Sequence, residues 1–175
     1  MNRKLLVIVI TIGCGLVFLM NFIALQKPML HVLDDDPRNK GISVFTHYGM
    51  LVNSNELVFD LREISGENSA ADVSRVLLQY ADAQKNKQFK KIILSYKGER
   101  IFQLKGEYFQ TLGGEYGTQN PVYTMRTLPE NVYEIDGSPA FETWTGGWLG
   151  VVGKQIEDFN EFHKRWYLSA AIGGS

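Results

Sequence analysis

Residues Leu5 to Leu25, LLVIVITIGCGLVFLMNFIAL, decide how the rest of the chain must be interpreted. These 21 residues contain no charge, and Arg3 and Lys4 precede them. At about 1.5 Å per residue, a helix of this length crosses the roughly 30 Å hydrocarbon core of a bilayer. A buried helix of a soluble protein would normally carry a polar face, which this run lacks. The run therefore predicts a transmembrane anchor at residues 5–25.

The charges that flank the anchor predict its orientation. Arg3, Lys4 and the N-terminal amine come before it, whereas only Lys27 follows closely, ahead of three aspartates at residues 34–36. Positive charge is retained on the cytoplasmic side of a membrane. We therefore expect a single-pass protein of the bacterial inner (cytoplasmic) membrane, with residues 1–4 in the cytoplasm and the domain on the extracytoplasmic side.

Two alternatives to an uncleaved anchor stay open. A cleaved signal peptide would need an unusually long apolar region. For cleavage near Ala24, the −3 position would be the bulky Phe22, where a small residue is usual. The segment Thr11-Ile12-Gly13-Cys14 resembles a bacterial lipobox, at which the cysteine of a lipoprotein is acylated. Thr11 departs from the usual aliphatic residue, and residues 15–25 would follow the cysteine as an apolar stretch. Lipidation of Cys14 is the alternative form of membrane attachment.

The chain beyond residue 28 has the size and composition of one globular domain. The first 28 residues hold three of the 18 Lys and Arg residues and none of the 19 Asp and Glu residues, so the remaining 147 carry a net charge of −4. This charge argues against binding to nucleic acid or to anionic lipid headgroups. The same 147 residues contain no cysteine, so their stability must come from a packed core, and a bacterial source is favoured.

Composition and periodicity divide this part into a tether, a domain and a tail. Residues 26–41 predict an acidic, polar tether, residues 42–170 a globular domain, and residues 171–175 a flexible tail. Runs with strand character lie at residues 42–45, 50–52, 57–62, 91–96, 100–104 and 122–128, with turns at 53–55 and 129–131.

Helix signals alternate with these runs. Ser69 and Asp72 have the spacing of a capping box ahead of an apolar helical face that continues to Tyr80. This helix links two strands, which predicts a parallel pair with a right-handed crossover. Gly98 predicts a type II′ hairpin. A short helix is predicted at residues 107–112 and a long one from about Trp148 to Leu168.

The predicted fold class is therefore α+β. It consists of an N-terminal transmembrane helix and one domain with a mixed β-sheet of about five or six strands. Helices pack on one side of this sheet, and an amphipathic helix ends the domain.

No motif in the sequence fixes a reaction or a ligand. Ser95 and Lys97 share a strand face, but no nucleophile motif frames them. His31 and the aspartates at 34–36 are better explained as a hydrated spacer than as a metal site. The glycines of residues 146–153 do not match a phosphate-binding loop and predict a joint between two helices. We therefore predict no catalytic residue, no cofactor and no metal.

The aromatic C-terminal region is the candidate binding site. All three tryptophans, Trp144, Trp148 and Trp166, lie within 23 residues. Trp166 belongs to a helical apolar face that predicts core packing, together with Val152, Ile156, Phe159 and Phe162 or His163. Trp144 and Trp148 flank Gly146 and Gly147, small residues that leave neighbouring rings accessible. Exposed tryptophans are typical of protein interfaces, so these four residues are the predicted binding contacts.

These observations favour a non-catalytic function. We expect a membrane-anchored domain that binds another component of the cell envelope or associates with copies of itself. The alternative is a membrane-tethered hydrolase acting on cell-wall or envelope polymers, with carboxylates from among Glu134, Asp136 and Glu142.

Overall fold

The computed structural model describes residues 3–173, which form seven α-helices and one five-stranded mixed sheet. The helices are α1 (Arg3–Asn21), α2 (Lys27–Asp35), α3 (Ala70–Gln84), α4 (Gly106–Glu115), α5 (Pro121–Thr127), α6 (Trp148–His163) and α7 (Ser169–Gly173). The strands are β1 (Ile42–Gly49), β2 (Asn53–Ile64), β3 (Lys91–Tyr96), β4 (Glu99–Lys105) and β5 (Val132–Tyr133). Wider π turns follow α1 at Phe22–Gln26 and α6 at Lys164–Leu168, and 3-10 turns lie at Pro37–Asn39 and Leu128–Asn131. The tail predicted at residues 171–175 falls partly outside the described residues.

The strands follow one another across the sheet in chain order. β2 and β3 are parallel, with Phe59 opposite Leu94, and every other neighbouring pair is antiparallel. α3 connects β2 to β3, as the sequence predicted for a parallel pair. The mixed α+β fold and the five-stranded sheet are therefore confirmed.

The main core lies on one face of this sheet. Strand alternation places Leu57, Phe59 and Leu61 on that face, and all three are fully buried. The Phe59 ring lies 6.0 Å from Tyr80 of α3 and 5.9 Å from Trp166, measured between ring centroids. α3 and the segment after α6 therefore cover the same face of the sheet.

The beginning of α3 follows its sequence signal. The Ser69 hydroxyl accepts the N–H of Asp72 at 3.3 Å, and the Asp72 carboxylate accepts the N–H of Ser69 at 2.7 Å. This reciprocal pair is the predicted capping box. Further along the helix, α4 approaches α3 so closely that a Cβ on Gly113 would lie 2.3 Å from the carbonyl oxygen of Ala81.

The segment expected to be a tether, residues 26–41, is instead mostly helical and packed. Residues 3–35 form one continuous helix that is long and apolar enough to cross a membrane. Leu25 and Met29 are fully buried in the domain core, and the Tyr80 hydroxyl donates to the carbonyl of Leu25 at 3.2 Å. The aspartates at 34–36 and Pro28 are typical of a tether, but they do not prevent this helix. Pro28 lies in the first turn of α2, where its missing N–H costs no helical hydrogen bond.

Two amide side chains join this helix to the outer edge of β1. Asn21 accepts the N–H of Tyr48 at 2.8 Å and donates to the carbonyl of Leu51 at 2.7 Å. Gln26 accepts the N–H of Thr46 at 2.7 Å and donates to the carbonyl of Val44 at 3.1 Å. These amides supply the hydrogen bonds that another strand would give an edge strand. We call Asn21 and Gln26 the amide clamp.

The π turn at Phe22–Gln26 explains how both amides reach the strand. In an α-helix, residues five apart project about 140° from each other, since each residue turns the chain by about 100°. The wider turn, in which the N–H of Lys27 bonds the carbonyl of Phe22, brings residues 21 and 26 toward one face. The helix rise over five residues is then similar to the roughly 6.6 Å between alternate residues of a strand.

Three local expectations were wrong. β1 runs unbroken to Gly49, and the first hairpin turns at Met50 and Leu51 rather than at residues 53–55. The second hairpin turns at Lys97 and Gly98, whose φ angles of +50° and +89° indicate a type I′ turn instead of II′.

The third is the strand expected at residues 122–128, which is the helix α5. Asn120 caps this helix by accepting the N–H of Val122 at 2.9 Å, and Pro121 occupies its first turn. Proline after an N-cap residue is a helix-start signal that outweighs the β-favouring residues behind it.

Candidate functional site

The predicted binding residues Trp144, Gly146, Gly147 and Trp148 lie together at the beginning of α6. Gly147 is the N-cap residue, and its carbonyl accepts the N–H of Val151 at 3.1 Å. Gly146 has a φ of +132°, a conformation that other residues rarely adopt. The two glycines therefore turn the chain sharply into the helix.

The two tryptophans have different environments. Trp144 is half-buried, its indole N–H donates to Asp158 at 2.6 Å, and the ammonium of Lys154 lies 5.6 Å from its ring centroid. Trp144 thus packs along α6 and stabilises the turn. Trp148, the first residue of the helix, is 72% exposed. Of the two, Trp148 is the ring available to a partner.

An exposed apolar stripe continues from Trp148 along α6. Leu149 is 79% exposed, Val152 is half-buried, and Ile156 is exposed. Residues 149, 152 and 156 have the three- and four-residue spacing of one helix face. We call Trp148, Leu149, Val152 and Ile156 the α6 stripe. Along the predicted apolar face, Ile156 is exposed and Phe159, which was expected in the core, is only half-buried, whereas Phe162 is fully buried.

The other end of α6 is firmly anchored. Phe162 and Trp166 are buried, with ring centroids 5.4 Å apart, and the Trp166 indole N–H donates to the carbonyl of Ser95 at 3.1 Å. That carbonyl lies where the pairing of β3 with β4 skips Ile101. The predicted core role of Trp166 and Phe162 agrees with this packing. The C-terminal end of α6 is thus fixed to the sheet, while its first two turns remain at the surface.

His163, at the C-terminal end of α6, is the most buried titratable group in this region. Its Nε2 lies 2.9 Å from the Ser74 hydroxyl and its Nδ1 3.1 Å from the Tyr167 hydroxyl. Burial lowers the pKa of His163 to about 3, so the ring is neutral at physiological pH. A hydroxyl beside an imidazole is the beginning of a nucleophile–base pair. Ser74 and His163 are at most 1% exposed, however, so they connect α3 to α6 as a structural network.

The structure separates the Ser95–Lys97 pair and gives the acidic segment a role within the fold. Ser95 is buried, while the ammonium of Lys97 lies 5.2 Å from the centroid of the Tyr96 ring, so these two side chains do not form a dyad. The last aspartate of the predicted spacer, Asp36, pairs with Arg38 at 2.6 Å, and that guanidinium holds the pKa of Asp36 well below its usual range. Among residues 3–173 no group of three acidic, histidine or cysteine side chains could hold a metal ion.

The carboxylates of the hydrolase alternative are placed as follows. Glu134 forms an ion pair with Arg165 at 2.6 Å, and that guanidinium lies 4.8 Å from the centroid of the Phe102 ring. Asp136 accepts the N–H of Ser138 at 2.9 Å, which lowers its pKa. Glu142 is exposed. Two of the three carboxylates therefore stabilise local structure.

The glycines of residues 146–153 do not form a joint between two helices. Gly150 and Gly153 lie inside α6, and only Gly146 and Gly147 precede it. Cys14 is exposed on the surface of α1, within the segment that could cross a membrane.

A groove of about 390 Å³ lies between α3, α4 and α5. Its walls are largely apolar and include Leu78, Leu112 and Met125, with Arg75 at one side. Arg75 donates to Asp72 at 2.7 Å and to the carbonyl of Arg38 at 2.7 Å, so its charge is already used within the fold.

Sequence reasoning missed the amide clamp. Asn21 stands out in the sequence as a polar residue inside an apolar run. A single amide within such a run has no partner that a sequence can name, because its partners here are backbone groups of a strand 27 residues away.

Comparison with known proteins adds no relative. No protein-family model matches the chain, and no curated protein and no solved structure matches it either.

Proposed function

We propose that this chain is a single-pass protein of the bacterial cytoplasmic membrane whose extracytoplasmic domain binds another protein of the cell envelope without catalysis. The observation that carries the proposal is the α6 stripe, with Trp148 and Leu149 more than two-thirds exposed at one end of an anchored helix. Isolated apolar residues are common on protein surfaces. A contiguous helical stripe beginning with tryptophan is typical of an interface.

The rest of the molecule supports a presenting role. The helix of residues 3–35 is long and apolar enough to cross a membrane, and the amide clamp fixes it to the domain. The domain is thus held in one orientation relative to the anchor rather than suspended from a mobile linker. An amphipathic helix in such a position can lie in a groove of a partner protein, with the stripe as its anchoring residues.

In-cell photo-crosslinking tests the proposal. A photoreactive amino acid at Trp148 should give an adduct of one discrete mass larger than the chain. The matched control is Lys154, which is also exposed and lies on the opposite side of α6, so it should give none. An adduct of twice the chain mass would replace the partner by a second copy of this protein. Equal labelling at both positions, or none at Trp148, would overturn the assignment of the stripe.

A further inference from the structure

We propose that the end of the domain beside α1 is itself a lipid-binding surface. The tip of the first hairpin enters the acyl region, and neighbouring lysines contact anionic phospholipid headgroups. This inference rests on the proposed membrane anchor and adds a second contact with the same bilayer. It departs from the expectation, drawn from net charge, that the domain avoids anionic lipid.

The amide clamp defines which end of the domain faces the membrane. Asn21 bonds Tyr48 and Leu51 near the end of β1, whereas Gln26, further along the helix, bonds Val44 and Thr46. The helix therefore runs antiparallel to β1. Its preceding residues, 3–20, extend beyond the end of the sheet at which the first hairpin turns. A bilayer around α1 would lie against this end.

The hairpin tip is apolar and exposed. Met50 is 84% exposed and Val52 is 69% exposed. The φ angles of Met50 and Leu51 are +48° and +66°, and the N–H of Val52 bonds the carbonyl of Gly49 at 3.1 Å, which is a type I′ turn. Such turns favour Asn-Gly, because bulky side chains are strained at positive φ. Large apolar residues here serve neither the turn nor the core, which suits contact with lipid.

A groove between α1 and this tip offers a place for an acyl chain. It measures about 410 Å³, and its apolar lining consists mainly of Gly15, Phe18, Leu19, Phe22, Phe45 and Leu51. One wall belongs to the apolar helix itself. The groove is therefore continuous with the hydrocarbon that surrounds α1, and the occupant with access to it is a phospholipid tail.

Basic side chains collect at the same end of the sheet. The parallel strands β2 and β3 begin there, and β4 ends there, with Lys105 opposite Lys91. Lys87 donates to the carbonyl of Ala24, which places the loop after α3 beside the end of the apolar run. The lysines of this end are Lys85, Lys87, Lys90, Lys91 and Lys105.

The acidic groups at this end do not cancel the lysines. Glu56 is buried between Lys91 at 3.3 Å and Arg100 at 3.0 Å, and Asp82 pairs with Lys85 at 2.9 Å. Glu107, in the first turn of α4, and Glu130, in the turn before β5, are further acidic neighbours. A local excess of positive charge remains on a domain whose net charge is negative, and it complements anionic headgroups.

Fluorescence in lipid vesicles tests the surface with the full-length chain. In a Cys14→Ser background, an environment-sensitive probe is attached at Met50→Cys and quenched by lipids that carry a nitroxide on the acyl chain. We expect strong quenching at position 50. A probe at Glu67→Cys, in the exposed loop between β2 and α3, should remain unquenched and serves as the control.

The same measurement separates this inference from the anchor on which it rests. A third probe at Ile10→Cys reports the membrane span. Quenching at position 10 without quenching at position 50 would overturn the lipid-binding surface and leave the anchor standing. The absence of quenching at both positions would overturn the anchor as well.

Lysine substitutions test the headgroup contact. Vesicles of phosphatidylcholine containing some headgroup-spin-labelled phosphatidylglycerol should show that lipid enriched near the domain. Each lysine at a membrane surface contributes about five-fold to such binding, so K90Q/K105Q should reduce the enrichment about 25-fold. The control K40Q/K97Q neutralises two exposed lysines at the other end of the domain and should leave it unchanged. Equal enrichment in both double variants would contradict the lysine contact.

Discussion

At the scale of single residues, buried polar side chains determine how the helices attach to the sheet. His163 joins α3 to α6 through Ser74 and Tyr167, and its pKa is lowered to about 3 by burial. An unfolded histidine takes up a proton near pH 6.5. The folded state thus excludes a proton that the unfolded state binds. Its contribution to stability is complete above about pH 6.5 and declines as the pH falls from there toward 3.

The substitution His163→Gln tests this linkage, since glutamine is polar and does not titrate. The variant should be less stable than the wild type at pH 8. Between pH 8 and pH 5 the difference should shrink by about 2 kcal/mol, because only the wild type loses stability by protonation. Urea denaturation of the full chain in mild detergent, followed by tryptophan fluorescence, measures both curves. Parallel pH dependences would contradict a neutral, buried His163.

Asn21 stabilises the domain because backbone groups of the first hairpin depend on its side chain for their hydrogen bonds. Asn21→Leu would make the apolar run more hydrophobic, yet it would leave the N–H of Tyr48 without its acceptor. We expect a loss of about 1–3 kcal/mol in domain stability and faster hydrogen exchange at Tyr48. The matched control is Thr11→Leu, because the Thr11 hydroxyl bonds only the carbonyl of Val7 within its own helix. If both variants unfold at the same urea concentration, Asn21 of the amide clamp contributes nothing to the stability of the domain.

At the scale of elements, the sequence predicted those whose signals are local and consistent. α3 had both a capping box and an apolar face, and β2 and β3 had compact apolar runs on either side of it. The strand predicted at residues 122–128 was wrong, because the β-favouring residues there follow an Asn-Pro pair that starts a helix. The tether prediction for residues 26–41 was wrong because their acidic residues are visible in the sequence, while the burial of Met29 depends on long-range contacts with the core.

The π turn at Phe22–Gln26 is an element whose geometry can be altered by one deletion. Removing Ile23, which is exposed, should convert the turn to a regular α-helix in which Asn21 and Gln26 become four residues apart and project only about 40° from each other. Both amides should then still reach β1, so this deletion should cost much less stability than Asn21→Leu. Inserting an alanine after Ile23 should instead misalign the two amides and approach the cost of Asn21→Leu. Inserting an alanine after Ile10, within the regular part of α1, is the control. Equal stability of the two insertion variants would show that the π turn does not align the clamp.

α6 should behave as two functional halves. The double variant W148A/L149A should change domain stability by no more than about 0.5 kcal/mol, because both side chains are exposed, and should abolish the envelope cross-link. Trp166→Ala should instead cost about 3–5 kcal/mol through lost core packing. Urea denaturation measures the stability of each variant. Photo-crosslinking from position 156, which neither variant otherwise changes, measures partner binding. Destabilisation by W148A/L149A would mean that the stripe belongs to the fold.

At the scale of the whole molecule, the sequence predicted a long apolar helix and an α+β domain but not their relation. Net charge suggested a surface indifferent to lipid, whereas the fold places five lysines at the end of the sheet beside α1, among fewer acidic residues. For the candidate site, composition singled out Trp144 and Trp148 together. The difference between the two rings depends on the contact of Trp144 with Asp158, which composition does not show.

Topology labelling tests the anchored and exported domain most directly. In intact cells that produce the Cys14→Ser, Glu67→Cys chain, we predict that a membrane-impermeant thiol reagent labels position 67 and that the protein stays with the membranes after alkaline extraction. Retention without Cys14 would also separate a membrane-crossing helix from a lipid anchor. Labelling only after the cells are broken, or recovery of the chain in the soluble fraction, would contradict a domain held by this helix outside the cytoplasm.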